Sequence, residues 1–139
     1  MQYVDKETEL GILEEIDTIQ KNAEEISPVV SRKEILDLKK AVSEVHIEKS
    51  ILQAIVDITE ETRNNPLLQF GASTRSAIML KKALGAYALN KGRDYVNEDD
   101  LKELLPYVLV HRLKFHAGAD SDAFSEITRP HIENLVVNH

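Results

Sequence analysis

Residues 70–95 read FGASTRSAIMLKKALGAYALNKGRDY and carry a long, strongly apolar helical pattern. Between Ala77 and Leu89, every position is apolar except Lys81, Lys82 and Gly85. A helix that is apolar around nearly its whole circumference is typical of a protein interior. We therefore expect this segment to form the central helix of a helical domain.

The start of this helix has an unusual charge. Ser73 is a good N-cap, which places Thr74 and Arg75 in the first turn. An arginine there opposes the helix dipole, because the amino end already carries partial positive charge. The arrangement suits an anion site, where free backbone N–H groups and a guanidinium bind one phosphate and the small Gly71 and Ala72 allow close approach. The residues alone favour an ordinary exposed arginine, since its cost is only roughly a few tenths of a kcal/mol.

The composition indicates one folded domain. The chain has 139 residues, of which 42% are hydrophobic, so it can bury a core. It contains no cysteine, which excludes disulfides, thiol nucleophiles and thiolate zinc sites. No apolar run reaches membrane-spanning length, and no secretory leader opens the sequence. These features predict a cytoplasmic protein without membrane insertion.

The charge distribution separates the first segment from the rest. The formal net charge is −7, which argues against nucleic acid as a partner, because phosphate contacts need clustered lysines and arginines. Residues 1–30 contain eight acidic and two basic side chains, so they hold nearly all of the excess negative charge. We therefore predict an acidic connecting helix over residues 1–28, outside the tight core.

Apolar residues at helical spacing predict two helices in the first third of the chain. The first covers about residues 5–26 and ends at Ser27-Pro28, because a residue before proline disfavours the helical conformation. The second opens at a capping box made by Ser31 and Glu34. The apolar residues of the first helix form one narrow stripe, Ile12, Ile16, Ile19, Ala23 and Ile26. The expected inner face of the second helix is Ile35, Leu38, Val42 and Val45.

A third helix is predicted over about residues 48–63 and stops at residues 64–66, which read Asn-Asn-Pro. Its expected inward residues are Ile51, Leu52, Ile55, Ile58 and Thr59. Residues 67–72 are predicted to form a loop that leads into the central helix. The central helix should end at Asn90, with Gly92 as a left-handed terminator.

One further helix is clear after the central helix. Asn97 is its predicted cap, and the acids at 98–100 lie where the helix dipole favours negative charge. Its expected core residues are Leu101, Leu104, Leu105 and Val108. Pro106 lies inside this apolar pattern and predicts a kink or a restart. A short helix is predicted over residues 122–128, where Pro130 ends it.

These patterns predict an all-α fold, a bundle of about five helices joined by short loops. The pieces at 45–47 and 93–96 look extended. They allow at most a minimal two-residue strand pairing.

Motifs for independent catalysis are absent from the sequence. It has no Gly-x-x-x-x-Gly-Lys phosphate loop and no acid-rich strand end for magnesium. No two histidines are three or four residues apart, so surface or core roles are expected for them rather than metal binding. Asp99 and Asp100 could form a catalytic carboxylate pair, but compensation of the helix dipole is the simpler explanation. We therefore expect no enzyme activity from this chain alone.

Three segments together indicate a family. They are Gly-Ala-Ser-Thr-Arg at 71–75, Gly-Arg-Asp-Tyr-Val-Asn-Glu-Asp-Asp-Leu at 92–101 and Val-His-Arg-Leu at 110–113, supported by Val-His-Ile at 45–47 and Thr-Arg-Asn-Asn-Pro at 62–66. This combination closely resembles the C-terminal lid of MoxR-type AAA+ ATPases. The resemblance covers residues 29–116 well and the flanks more loosely. It predicts a lid helical domain over 29–116 and a C-terminal tail over 117–139.

The resemblance implies a role for Arg75. In this family it would be the second-sensor arginine, which reaches from the lid to the terminal phosphate of ATP bound by a separate core. Gly71, Ser73 and Thr74 would complete the cofactor-binding turn, and no metal site is implied within this chain. Arg63 also matches the family, and we favour a structural ion pair over a ligand contact for it.

Two positions depart from the family pattern. The family usually has proline where this chain has Thr74, and often where it has Glu98. Proline at the first helical position presets the helix but is not required. We therefore expect a less rigid sensor turn with unchanged chemistry.

The resemblance further implies a catalytic core that precedes residue 1. The phosphate loop, the magnesium-binding acid, the first sensor and the arginine finger would belong to that core, so the chain resembles a lid cut from a longer ATPase. ATP, with Mg²⁺ held by the core, is then the expected cofactor, and none is expected on the isolated chain. Expected partners are the ATPase core of the same parent chain, further copies in a homo-oligomeric ring and von Willebrand A-domain proteins served by a chaperone-like activity. The alternative is a non-catalytic helical protein-interaction module that docks through the acidic first helix or the tail.

Overall fold

The computed structural model describes residues 4–118 and 121–137. Within them the chain is mostly helical, with one short antiparallel strand pair. The elements in chain order are α1 (Lys6–Glu24), α2 (Arg32–Glu44), α3 (Lys49–Asn64), β1 (Leu68–Phe70), α4 (Thr74–Asn90), α5 (Glu98–Leu109), a 3-10 turn (Val110–Arg112), β2 (Lys114–Phe115) and α6 (Ser121–Val137). The predicted all-α class is confirmed.

The chain divides into two compact units between Ile35 and Leu36. The first unit contains α1, whose amino end is capped by the carboxylate of Asp5, which accepts the backbone N–H of Thr8 at 2.9 Å. No residue of α1 is buried, and the isoleucines of its predicted apolar stripe are exposed.

Helix α2 buries none of its own residues and meets the core of the second unit through its carboxyl end and Val45, the residue that follows it. Ile35 and Leu38, which were predicted to face inward, are 43% and 58% exposed, whereas Val45 is buried. The contact lies where α2 meets Gly85 of α4, because a Cβ atom at Gly85 would lie 2.9 Å from the carbonyl oxygen of Val42. The inward prediction for the amino-terminal part of α2 is wrong, since a helix buries only the residues that a neighbour covers.

The core of the second unit lies between α3, α4, α5 and α6. Helix α4 is central, and its residues Leu80, Leu84 and Ala88 form one fully buried stripe. The expected central position of this helix is confirmed, although Ile78 and Met79 are 51% and 39% exposed. Residues four apart lie on the same side of a helix, and only one side of α4 is covered. The largest fully buried side chains are Ile58, Leu80, Leu84, Leu101, Leu105, Leu109 and Thr62.

Two prolines lie inside continuous helices. Helix α5 runs through Pro106, and its next turn is completed by the backbone N–H of Val110, which donates to the Pro106 carbonyl. Helix α6 runs through Pro130 to Val137. The predicted restart at the first proline and the predicted helix end at the second are wrong. Each proline removes one helical hydrogen bond, and burial of residues on both sides of it, such as Leu105 and Leu109, offsets that loss.

One strand of the pair, β1, lies in the segment predicted as a loop before α4. Strand β1 pairs antiparallel with β2, and the N–H of His116 donates to the carbonyl of Leu67 at 2.9 Å. The two extended pieces do pair: His46 donates to the carbonyl of Asp94 at 2.8 Å and accepts from Val96 at 3.0 Å. Strand β1 was missed because three residues are too few to show a period of two.

Candidate functional site

Helix α4 begins at Thr74, one residue after its cap. Ser73 has an extended backbone, with φ of −81° and ψ of 162°, and its hydroxyl accepts the N–H of Ser76 at 3.2 Å. The predicted N-cap is therefore confirmed. The hydroxyls of Ser73 and Ser76 also lie 3.1 Å apart. A cap of this kind satisfies one of the free N–H groups of the first turn and leaves the others available.

Arg75 is the second residue of α4 and is exposed. Neither its guanidinium nor the backbone N–H groups of Thr74 and Arg75 have a hydrogen-bond or ion-pair partner among residues 4–118 and 121–137. The first turn of α4 contains no acidic side chain. One cation and two backbone donors are thus free at a helix end that already attracts anions.

The turn before α4 is held by the carboxyl end of α3. The N–H of Ala72 donates to the hydroxyl oxygen of Thr62 at 3.0 Å, and the Nε of Arg63 donates to the carbonyl of Ala72 at 2.8 Å. The Nη2 of Arg63 also approaches the hydroxyl of Thr74 at 3.4 Å. Arg63 therefore has a structural role through hydrogen bonds, in place of the ion pair that was expected.

Gly71 lies directly against the backbone of α3. A Cβ atom at Gly71 would overlap the carbonyl oxygen of Thr62 and would lie 2.6 Å from the backbone nitrogen of Arg63. Neither atom can move without disturbing α3. The missing side chain at Gly71 is thus required by packing within the second unit, a reason that the sequence does not reveal.

The two acids that could form a catalytic carboxylate pair, Asp99 and Asp100, do not lie together in one site. Asp99 is exposed, whereas Asp100 is buried and forms a bidentate ion pair with Arg93, with Nη1 to Oδ2 at 2.8 Å and Nη2 to Oδ1 at 2.6 Å. Asp100 also accepts the N–H of Asn97 at 3.0 Å, and its own N–H donates to the Asn97 side chain at 3.0 Å, which completes a capping box. Asp100 is therefore part of the structure of the α5 start.

The surroundings of Asp100 keep it ionised. Burial alone would raise the pKa of its carboxyl group, but the hydrogen bonds from Arg93 and from the Asn97 N–H together lower that pKa below its ordinary value. The same ion pair raises the pKa of the Arg93 guanidinium. An ionised carboxylate with all of its oxygens engaged is unsuited to proton transfer.

The cavity with the best-defined lining lies away from the start of α4. A cavity of about 400 Å³ opens between α5 and α6, with Leu105, Pro106, Phe124 and Ile132 among its lining residues and none from the start of α4. Across residues 4–118 and 121–137, no three metal-ligating side chains lie close enough together to hold a metal ion. No helix in these ranges is long and apolar enough to cross a membrane.

The comparisons with known proteins agree on one family. The family model for the AAA lid domain matches residues 60–130, which include the turn before α4 and the starts of α4 and α5. The uncharacterized protein YeaC of Bacillus subtilis (strain 168) is 41% identical over 96 residues, which are 69% of this chain and 30% of that protein. The chaperone MoxR1 of Mycobacterium tuberculosis is 29% identical over 106 residues, 70% of this chain and 28% of that protein.

A solved structure has a similar fold. A candidate ATPase from Cytophaga hutchinsonii superposes with a TM-score of 0.70 at 27% identity, covering 93% of this chain and 43% of that chain. The chain therefore spans less than a third of the length of these two curated relatives and less than half of the solved chain. The family model covers half of the chain, and the similarity to MoxR1 and to the Cytophaga hutchinsonii structure agrees with it. This chain therefore belongs to the AAA lid domain family and is a lid domain of the MoxR type.

Proposed function

We propose that this chain is the nucleotide-responsive lid of a MoxR-like ATPase and that Arg75 is its second-sensor arginine. The observation that carries the proposal is the free guanidinium of Arg75 beside two unpaired backbone N–H groups in the first turn of α4. A fold that held this side chain by its own carboxylate would leave nothing for a nucleotide to bind. Ser73 caps the turn, and Gly71 lets it pack on α3.

The donors of this turn fit one phosphate group of ATP. A guanidinium can bind two phosphate oxygens at once through charge-assisted hydrogen bonds, and the helix dipole favours the same charge. The turn offers no carboxylate for magnesium. In this proposal a separate core holds the nucleotide and its metal ion, and Arg75 neutralises charge that develops on the terminal phosphate during hydrolysis.

The lid would then report the nucleotide state by moving as a body. Because the turn before α4 is hydrogen-bonded to α3, a displacement of Arg75 by the nucleotide would move α3 and the helices packed against α3 as well. The mechanism requires ATP and ADP to stabilise different lid positions. On the strength of the family alone, we also propose a homo-oligomeric ring, a chaperone-like activity and von Willebrand A-domain partners.

The substitution Arg75→Ala tests this function in the ATPase assembled with its nucleotide-binding core. We expect ATP turnover to fall at least tenfold, which corresponds to about 1.4 kcal/mol of transition-state stabilisation. Arg75→Lys should recover only part of the rate, because an ammonium cannot bind two oxygens in the same plane. Arg129→Ala is the matched control, since Arg129 is an exposed arginine on α6 with no partner among the described residues.

The second candidate function is a protein-interaction module that does not respond to nucleotide. It is favoured by α1, an acidic helix that buries none of its residues. Near-normal hydrolysis in Arg75→Ala, with the same result in the control, would support this second function and would contradict the first.

A further inference from the structure

We propose that Thr62 and Arg63, at the carboxyl end of α3, are positioning residues that set where Arg75 is presented. This inference rests on the function proposed for Arg75. Neither residue needs to touch the nucleotide in this scheme. They act by holding the backbone of the turn that precedes α4, so that the guanidinium of Arg75 points in one direction from the lid surface.

The two residues hold both polar groups of a single residue. The N–H of Ala72 is bound by the hydroxyl of Thr62 at 3.0 Å, and its carbonyl is bound by the Nε of Arg63 at 2.8 Å. Ala72 is 1% exposed and Thr62 is 0% exposed, so water cannot replace the contact between them. The hydroxyl of Thr62 donates in turn to the carbonyl of Thr59 at 2.8 Å, which leaves its lone pair free to accept from Ala72.

The residues on either side of Ala72 are also constrained. On one side, Gly71 is in close contact with the backbone of Thr62 and Arg63. On the other side, Ser73 is held in an extended conformation by its cap to Ser76. Each residue from Gly71 to Ser73 is thus held by a contact or a hydrogen bond. The position of Arg75 follows from α3, and a misplacement of about 1 Å in a catalytic group can cost about a hundredfold in rate.

A direct role for Arg63 as a second phosphate ligand makes a different prediction. Its Nε is committed to Ala72, and its Nη2 approaches Thr74 at 3.4 Å. A lysine would keep the positive charge but could not donate from the Nε position of a rigid fork. Arg63→Lys should therefore behave like Arg63→Ala if Arg63 positions the turn, and should recover activity if its charge binds phosphate.

The first test measures amide hydrogen exchange of Ala72 by NMR in the 139-residue chain. Thr62→Val removes the acceptor with little change in volume, and we expect the Ala72 amide to exchange at least tenfold faster. Thr128→Val is the matched control, because Thr128 is a buried threonine whose hydroxyl donates to the carbonyl of Phe124 in its own helix. If Thr62→Val fails to fold, shifted amide signals from Ala72 to Arg75 in Arg63→Ala provide the same test. Unchanged exchange or unchanged signals at Ala72 would overturn the inference.

The second test is a double-mutant cycle on ATP turnover in the ATPase assembled with its core. We expect Arg63→Ala and Arg63→Lys each to lower turnover at least threefold when Arg75 is present, and by less than 1.5-fold in the Arg75→Ala background. Arg112→Ala is the control, because its Nε likewise donates to a backbone carbonyl, that of Val108, at 3.1 Å.

Three outcomes of this cycle would overturn the positioning role. An equal loss in both backgrounds would show that Arg63 acts independently of Arg75, and rescue by lysine would show that it is a ligand. Unchanged ATP turnover in Arg75→Ala would refute the proposed function and the positioning role together. The hydrogen-exchange result would still report whether Thr62 and Arg63 hold the turn.

Discussion

Helices α4 and α5 begin with the same kind of polar cap but with opposite charges in their first turns. Asn97 is followed by three acids at 98–100, which the helix dipole stabilises. Ser73 is followed by Thr74 and Arg75, and no acid is present in that turn. A cation at the start of α4 suits an external anion that completes the charge balance, although α3 likewise begins with a cation, Lys49, and has no acid in its first turn.

The position of Thr74 is already shaped for proline. Its N–H has no acceptor among the described residues, and Ser73 before it has the extended backbone that a residue before proline requires. We expect Thr74→Pro to raise the free energy of unfolding by about 0.4–1 kcal/mol, because it restricts the unfolded chain without removing a backbone hydrogen bond. Urea unfolding of the 139-residue chain measures this. Ser76→Pro should be destabilising, since it removes the bond to Ser73, and a loss of stability in Thr74→Pro would contradict the argument.

The ion pair between Arg93 and Asp100 should make stability depend on pH. The folded state lowers the pKa of Asp100 below its ordinary value of 3.8, so this pair contributes fully above about pH 4 and its contribution is lost as pH falls through the folded pKa. We expect Asp100→Asn to cost about 2–3 kcal/mol at pH 7, and the difference from the unsubstituted chain to shrink below pH 4. Unfolding curves at pH 7 and pH 3 test this, with the exposed Asp99→Asn as control. A difference that is the same at both pH values would contradict the prediction.

At the scale of the elements, the ends of α4 are set in different ways. Its carboxyl end is determined by residues of the helix itself and those that directly follow it. Gly92 has φ of 76°, its N–H donates to the carbonyl of Leu89 at 2.9 Å, and the N–H of Arg93 donates to the carbonyl of Ala88 at 2.9 Å. This is the Schellman arrangement, and the prediction that Gly92 terminates the helix is confirmed. Its amino end is capped locally by Ser73 but depends on α3 for its placement.

The junction of α3 and α4 can be tested at Gly71. A Cβ atom there would meet the backbone of Thr62 and Arg63, so we expect Gly71→Ala to destabilise the lid by about 1–3 kcal/mol and to displace the turn that presents Arg75. The control is Gly11→Ala in α1, where nothing lies within 4 Å of the added atom and alanine favours the helix by roughly 0.5–1 kcal/mol. Thermal unfolding followed by circular dichroism compares the two variants. A neutral Gly71→Ala would show that the junction is loose.

At the scale of the whole molecule, the proposed function makes the second unit the support of the α4 turn and the source of only part of a nucleotide site. Its core side chains come from several helices, whereas the free donors come from one turn of α4. A tight nucleotide site needs many phosphate contacts and a metal site, and the described residues include no group that could hold a metal ion. In the proposed function, these donors therefore contribute to a site that a separate core completes.

The 139-residue chain alone should therefore bind ATP very weakly. One guanidinium and two backbone N–H groups must offset the loss of translational freedom of the nucleotide, so we expect a Kd of about 1 mM or weaker. Isothermal titration calorimetry with ATP measures this, and Arg75→Ala should weaken the residual binding further. A micromolar Kd would reveal a complete site within this chain and would contradict the shared-site proposal.

Patterns that depend on near neighbours in the chain were predictable from the sequence. The caps at Ser73 and Asn97 and the terminator at Gly92 depend on contacts between residues a few positions apart. The apolar stripe of α3 follows the helical period, which is likewise visible over a short stretch. The family resemblance came from the same short segments. The predictions that were wrong concern residues whose burial depends on distant elements, such as Leu38, and the helix that continues past Pro130.

The sequence alone therefore predicted an all-α fold with an arginine at a helix start that opposes the dipole, because helix caps, helix periods and local charge are short-range properties. That the fold is a lid was implied by the family resemblance. Only the packed chain revealed that Thr62 and Arg63 hold Ala72, that Gly71 fits against α3 and that Arg75 keeps no partner of its own among the described residues. These contacts join residues about ten positions apart through the end of one helix and the start of another. Which donors remain free at such a junction depends on how the two helices pack, and short-range patterns do not encode it.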